Sequence, residues 1–263
     1  MKRFLPVILL LVFCSVIGKT EWEENHPQHN AARDKYGVVV RFNPKCKTVY
    51  LIFSAHSDLY DGRQAVSDAL RKEKVPASFF FTGEFYADPQ HRDWIRRLIE
   101  DGHYLGAHSD QHLLYADWND RSKTLVTKQE CLDDLAANFQ RMLPFDLTRE
   151  NSRFYLPPFE WYNEETVAWC EEFGLKLVNF TPRSVTFIDY TTPEMPYYKS
   201  SDAIFEALKM FEGKDPNGLN GIILLIHVGT DPTRHDKFYD RLPEVIGWMK
   251  EKGYLFGRVS DAF

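Results

Sequence analysis

From Thr48 to its end the chain alternates short apolar runs with amphipathic segments, and that alternation leaves few folds open to it. Residues 48–54 are rich in β-branched and aromatic side chains and predict a strand; 63–74 follow as a helix with Ala65, Val66, Ala69 and Leu70 on one side. The next strand, 77–82, carries Phe79, Phe80 and Phe81 in succession. Such an unbroken apolar run suits a strand buried on both faces, as in a parallel sheet. Asp88 caps a helix with Pro89 at its first position, Trp94, Ile95, Leu98 and Ile99 forming its buried stripe and Gly102 ending it. After a strand at 104–107, Thr127 and Glu130 form a capping-box pattern for a helix that buries Leu132, Leu135, Ala136, Phe139 and Leu143. A strand at 153–156 stops at Pro157-Pro158, Asn163 caps a helix to Phe173, and 175–180 is the next strand. A helix capped by Ser201 and running through Phe211, a strand at 221–226, a helix at 243–252 and a strand at 254–259 complete the series. The pattern predicts an α/β fold, a distorted (β/α) barrel of about seven parallel strands, closed or nearly so, with an open doubly wound sheet as the alternative. Between them, 181–199 holds Pro182, Pro193 and Pro196 without periodicity, a length expected of a lid or substrate wall.

The first 18 residues read as a signal peptide: Lys2 and Arg3, an apolar run, then small residues before Gly18. The expected location is therefore periplasmic or extracellular, with lipid anchoring through Cys14 as the alternative, disfavoured by bulky Phe13. Residues 19–47 are polar apart from Val38, Val39 and Val40, and read as an arm packed on a catalytic domain at 48–263. The formal net charge is −6, and loss of Lys2 and Arg3 leaves 30 basic against 38 acidic residues. This surface favours neither nucleic acid nor anionic membranes, and no membrane insertion of the mature chain is expected. Cys46, Cys131 and Cys170 are odd in number and far apart, so they predict buried small residues and not a disulfide framework or a thiolate metal site.

Polar residues fall at the carboxyl ends of six predicted strands, the face on which barrel enzymes build their sites. Among them His108 and His112 stand four apart around Ser109 and Asp110. On a helical turn or a tight loop two such imidazoles face one divalent ion; partly buried or surface histidines are the plainer alternative.

The ordered motifs resemble the polysaccharide deacetylases, the NodB-homology domain of family 4 carbohydrate esterases. Thr48 to Phe53 looks like the family's first strand, and Ala77 to Gly83 like its second. His108-Ser109-Asp110-Gln111-His112 matches the His-Ser/Thr-x-x-His metal motif, Leu156-Pro157-Pro158-Phe159 resembles Arg-Pro-Pro-Tyr, and Leu225-Ile226-His227 matches the late Leu-x-His motif. The resemblance implies removal of acetyl groups from a glycan, N- or O-linked, with a divalent metal cofactor, zinc first and cobalt or nickel after it. It implies that His227 is the catalytic acid and that the Phe159 backbone N–H is an oxyanion donor.

Two departures coincide. In the family the first strand ends in two aspartates, one a general base and one a metal ligand; Ser54 and Ala55 stand there. The arginine that orients the base aligns with Leu156. Losing the arginine along with the carboxylate it served is consistent, because a buried lone guanidinium is costly. Two repairs are at hand. His56 is the preferred third metal ligand, giving three neutral imidazoles, and Asp58 then becomes the candidate base; Asp58 as the ligand is the alternative. Trp161, with Tyr162 and Trp118, is expected either to stack on sugar rings or to pack in the core. Asp231 and His235 read as surface residues. The competing reading is a catalytically inactive descendant that retains metal or binds glycan.

Overall fold

The computed structural model describes residues 30–56 and 59–262; the predicted leader and Cys14 lie outside the described residues. Its strands are β1 (Ala32–Arg33), β2 (Val39–Arg41), β3 (Thr48–Ala55), β4 (Ser78–Phe81), β5 (Tyr104–Ala107), β6 (Phe154–Tyr155), β7 (Lys176–Leu177), β8 (Ile223–His227) and β9 (Leu255–Phe256). The helices are α1 (Arg63–Glu73), α2 (Gly83–Ala87), α3 (Arg92–Glu100), α4 (Lys128–Met142), α5 (Glu164–Glu172), α6 (Ser201–Lys214) and α7 (Leu242–Glu251). None of them is long and apolar enough to cross a membrane.

One parallel sheet runs β7-β6-β5-β4-β3-β8, with β9 paired to the start of β3. The sheet curls into a half-barrel, and β7 and β8 are not paired with each other. Strand β2 of the N-terminal arm lies in that seam. Val39 bridges Val178, Arg41 bridges Ile222, and the Thr181 hydroxyl donates to the Val40 carbonyl at 2.6 Å.

Strand alternation divides the core in two. Val49, Leu51, Phe53, Phe79, Phe81, Leu105 and Ala107 face the helices, where Phe53 and Phe79 stack at 5.0 Å. Tyr50, Ile52, Phe80, Tyr104, Phe154, Leu156, Ile223 and Leu225 line the concave side, covered by Phe42 of the arm and by Val259 and Ala262. Gly106 belongs to this inner face because a Cβ there would stand 2.7 Å from the Phe154 carbonyl oxygen and 2.9 Å from the Phe80 ring. The next inward positions toward the carboxyl ends, two residues on from Ile52, Gly106 and Leu225, are Ser54, His108 and His227.

The structure adjusts several expectations. Asp88 caps a 3-10 turn at Pro89–His91, and the α-helix begins at Arg92. Helix α2 was not legible as a helix; the Thr82 hydroxyl caps it by accepting from the Phe85 N–H. Ser200, not Ser201, caps α6. Cys131 and Cys170 are buried, but Cys46 is only half-buried.

The buried stripe of α4 is Cys131, Asp134, Leu135, Asn138, Phe139 and Met142, whereas Leu143 is exposed and Leu132 only partly covered. Two polar residues therefore face inward, toward the loop that carries the histidines. At the start of α4 the capping box is complete, the Thr127 hydroxyl accepting from the Glu130 N–H while the Glu130 carboxylate accepts from the Thr127 N–H. Thr127→Ala is expected to destabilise the fold by about 1 kcal/mol, read as a lower urea midpoint at an unchanged denaturant slope.

Candidate active site

His108 leaves β5 fully buried and enters a tight loop in which Ser109 and His112 hold positive φ of 70° and 56°. Left-handed backbone at non-glycine residues needs support from its surroundings. Helix α4 supplies it. Asn138 Oδ1 accepts from the His108 N–H at 3.0 Å, and the Asp134 carboxylate accepts from the N–H groups of Asp110 and Gln111 at 2.8 and 2.9 Å. Arg141 adds an ion pair with Asp110 at 2.7 Å.

His108 Nδ1 lies 2.7 Å from the Leu156 carbonyl oxygen. A carbonyl only accepts, so the proton sits on Nδ1 and the Nε2 lone pair is free to face His112 Nε2, 3.2 Å away. Burial lowers the pKa of His108 to about 3 against the opposing pull of the Leu156 bond. Burial, with the neighbouring histidines adding to it, lowers His112 to about 2. Two neutral imidazoles so disposed suit a cation. Ligand atoms about 2.0–2.1 Å from a tetrahedral ion stand roughly 3.3 Å apart, and the observed separation matches two corners of that figure. Among the described residues no group of three or more ligating side chains is assembled, so the pair fits a divalent ion but does not complete its shell.

His56 is half-buried beside this pair, its ring centroid 5.7 Å from that of His112. Asp58 lies outside the described residues. Ser54 is buried and in register with His227, while Ala55, by strand alternation, faces the helices. Leu156 packs in the concave apolar layer, and its contribution to the site is its carbonyl.

His227 projects from the end of β8 and is bound twice by the Asp189 carboxylate: Nδ1 at 2.6 Å and the backbone N–H at 2.9 Å. Burial would lower the histidine's pKa, but the Asp189 and Glu160 carboxylates outweigh it and the net shift is upward. Asp189 was not anticipated from the sequence. It lies on a 3-10 turn, Thr186–Tyr190, inside the proline-rich 181–199 segment, and nothing local marks it. The segment also delivers Tyr190, whose ring centroid lies 5.3 Å from that of His227.

Glu160 was also missed. It follows Phe159, and both hold positive φ, 52° and 56°. Asn179 fixes the turn by donating to the Glu160 carbonyl at 3.0 Å. The Glu160 side chain is 14% exposed, with Oε1 4.0 Å from His108 Nε2. Burial raises its pKa to about 7, the nearby His227 opposing. An acidic residue directly after Pro157-Pro158-Phe159 was the one available signal.

The rim is aromatic. Phe159 is 40% exposed, and its ring centroid lies 4.2 Å from that of His112 and 5.7 Å from that of Trp118, itself 54% exposed. Trp161 is half-buried, its ring 5.4 Å from that of Trp118 and covered by the Arg121 guanidinium at 3.9 Å. Tyr162 is core, its hydroxyl donating to Asp34 at 2.8 Å. Asp231 accepts from the N–H and hydroxyl of Thr233, and His235 is exposed.

Residues 42–178 match a family described as polysaccharide deacetylase. The chain is 25% identical over 280 residues to a 30.6 kDa protein of Geobacillus stearothermophilus, covering 98% of this chain and 94% of that one. It is 27% identical over 237 residues to the peptidoglycan-N-acetylmuramic acid deacetylase PdaA of Bacillus subtilis, covering 89% of this chain and 78% of that protein. In fold it is similar to a family 4 carbohydrate esterase pseudoenzyme from Bacillus anthracis, with a TM-score of 0.65, 19% identity, and coverage of 85% of this chain and 68% of that one. A mutant of that pseudoenzyme, described as having restored enzymatic activity, superposes with a TM-score of 0.66.

The His227–Asp189 geometry has a measurable consequence. A histidine whose folded pKa is raised contributes stability that is fully present below its unfolded value of about 6.5 and is lost as pH rises through the folded value. Asp189→Asn removes the carboxylate but not the burial, so the His227 titration, followed by its imidazole proton resonances, is expected to fall from above the ordinary value to below it.

Proposed function

Because this chain belongs to the polysaccharide deacetylase family, we propose that it is an exported, metal-dependent hydrolase that removes acetyl groups from a glycan. One observation carries the reading: two neutral imidazoles with Nε2 atoms 3.2 Å apart share the half-barrel mouth with a histidine bound to a buried aspartate. His108 and His112 would hold the ion. A bound divalent cation lowers the pKa of water and polarises a carbonyl.

The chain's own residues account for orientation and proton delivery. Asp189 takes the Nδ1 proton of His227 as a hydrogen bond and fixes the ring, leaving Nε2 to carry the transferable proton. In the hydrolysis a water oxygen bonds to the acetyl carbonyl carbon and loses a proton to solvent, the carbon–nitrogen or carbon–oxygen bond to the sugar breaks, and His227 protonates the departing atom and is reprotonated from solvent. The Phe159 backbone N–H, in the left-handed turn beside His112, is the oxyanion donor on this reading, the N–H groups of Glu160 and Trp161 being taken by the Pro157 and Pro158 carbonyls. Trp118 and Phe159 offer open aromatic faces for a sugar ring, more so than Trp161, one face of which Arg121 covers. Similarity to PdaA makes peptidoglycan the first substrate to test.

A second reading has its own support. The end of β3 offers Ser54 and Ala55 where the family places its aspartates, and the fold resembles a pseudoenzyme. On that reading the mouth binds glycan and releases no acetate.

Acetate release from peptidoglycan, acetylated chitin fragments and acetylated xylan separates the two. The wild type is expected to release acetate from at least one of them, and His227→Ala to lower kcat/KM about 100- to 10,000-fold. Glycan retention with no acetate from any substrate establishes the second reading, and release indifferent to His227→Ala removes the acid assignment.

A further inference from the structure

Glu160 is a half-buried carboxyl group set in left-handed backbone at the mouth of the half-barrel. Among the described residues no hydrogen bond reaches its carboxylate, and its near partner is His108 Nε2 at 4.0 Å. That partner offers no proton, because the His108 hydrogen is committed at Nδ1 to the Leu156 carbonyl. A carboxylate oxygen and an imidazole lone pair thus face one another, with a second imidazole nitrogen 3.2 Å from the first. Without an ion the His112 Nε2–H donates to that lone pair; a cation taking the place of this proton would face both imidazole nitrogens and the carboxylate oxygen.

The strain points the same way. Left-handed φ at a glutamate is unfavourable and persists only where the surroundings over-determine it. Here Asn179 does so by holding the Glu160 carbonyl, and the Glu160 N–H donates to the Pro157 carbonyl at 3.0 Å. The turn aims the side chain inward; in ordinary extended or helical backbone it would leave by another direction.

Resting on the metal-dependent reading above, we infer that Glu160 supplies the carboxylate ligand that the end of β3 lacks, completing a two-histidine, one-carboxylate set with His108 and His112. The distance permits it. Ligand atoms of a tetrahedral ion lie roughly 3.3 Å apart, so the present 4.0 Å needs to shorten by less than 1 Å, within the reach of a side-chain rotation. The set brings one anionic ligand to a divalent cation beside two neutral imidazoles. His56 is the competing third ligand, its ring centroid 5.7 Å from that of His112, and the experiment below discriminates between the two.

The test titrates zinc into chelator-stripped full-length protein and measures affinity by calorimetry, for wild type, Glu160→Gln, His56→Ala and His112→Ala, with circular dichroism recording the fold of each. Glu160→Gln is expected to weaken zinc binding about 100-fold, His56→Ala to leave it within about threefold, and His112→Ala to weaken it at least as much as Glu160→Gln. A variant-independent arm, anomalous diffraction from zinc-loaded wild-type crystals, is expected to place the ion in bonding contact with a Glu160 carboxylate oxygen. Wild type that binds no zinc removes the metal-dependent reading and this inference with it. Wild type that binds zinc with Glu160→Gln unaffected, or with the ion bonded to His56 and not to Glu160, overturns the inference alone.

Discussion

The hydrogen bond between His108 and the Leu156 carbonyl ties β5 to the end of β6 and decides which nitrogen of the histidine is basic. What His108 offers to His112 and Glu160 depends on that choice. With the proton on Nδ1, the Nε2 lone pair turns toward His112 and toward Glu160; with the other tautomer the site would present a donor and hold no cation. Leu156 can serve in this way without being polar, since its side chain belongs to the concave apolar layer and only its backbone faces the histidine.

Around that bond the protein keeps two kinds of titratable group apart by environment. His108 and His112 are held neutral by burial, whereas His227, also largely enclosed, is held toward its charged form by the Asp189 carboxylate. The same low-dielectric setting therefore yields lone pairs on one side of the mouth and a proton on the other. These arrangements cost stability locally: Ser109, His112, Phe159 and Glu160 all sit in left-handed backbone. Hydrogen bonds accepted by Asp134 and Asn138 and donated by Asn179 offset that cost, and these three residues lie on α4 and beyond β7, away in sequence from the strained turns they hold.

Most of the scaffold could be read in the chain because periodicity and caps are local. Phe79, Phe80 and Phe81 announced a strand covered on both faces, and Thr127 with Glu130 announced the start of a helix. The errors came where tertiary contacts overrode local preference. On α4 the apolar residues Leu132 and Leu143 suggested a stripe rotated from the real one, which turns Asp134 and Asn138 inward because the loop after β5 supplies donors for them. Helix α2 is five residues long, too short for a periodic signal. The seam between β7 and β8 is filled by the arm, and no pattern in Val38, Val39 and Val40 specifies a bridge to Val178 on one side and near Ile222 on the other.

By itself the sequence determined a parallel α/β scaffold, the loop that carries His108 and His112, and His227 at the end of a late strand, because each is written in contiguous residues with a fixed period or spacing. Only the tertiary structure decided what those histidines face. Asp189 reaches His227 across 38 positions of chain and Glu160 reaches His108 across 52, and a side chain's partner at that distance is set by the curl of the sheet and by which face a turn presents. Hydrogen bonding and burial then fix where the protons reside, and neither quantity exists until the chain is folded.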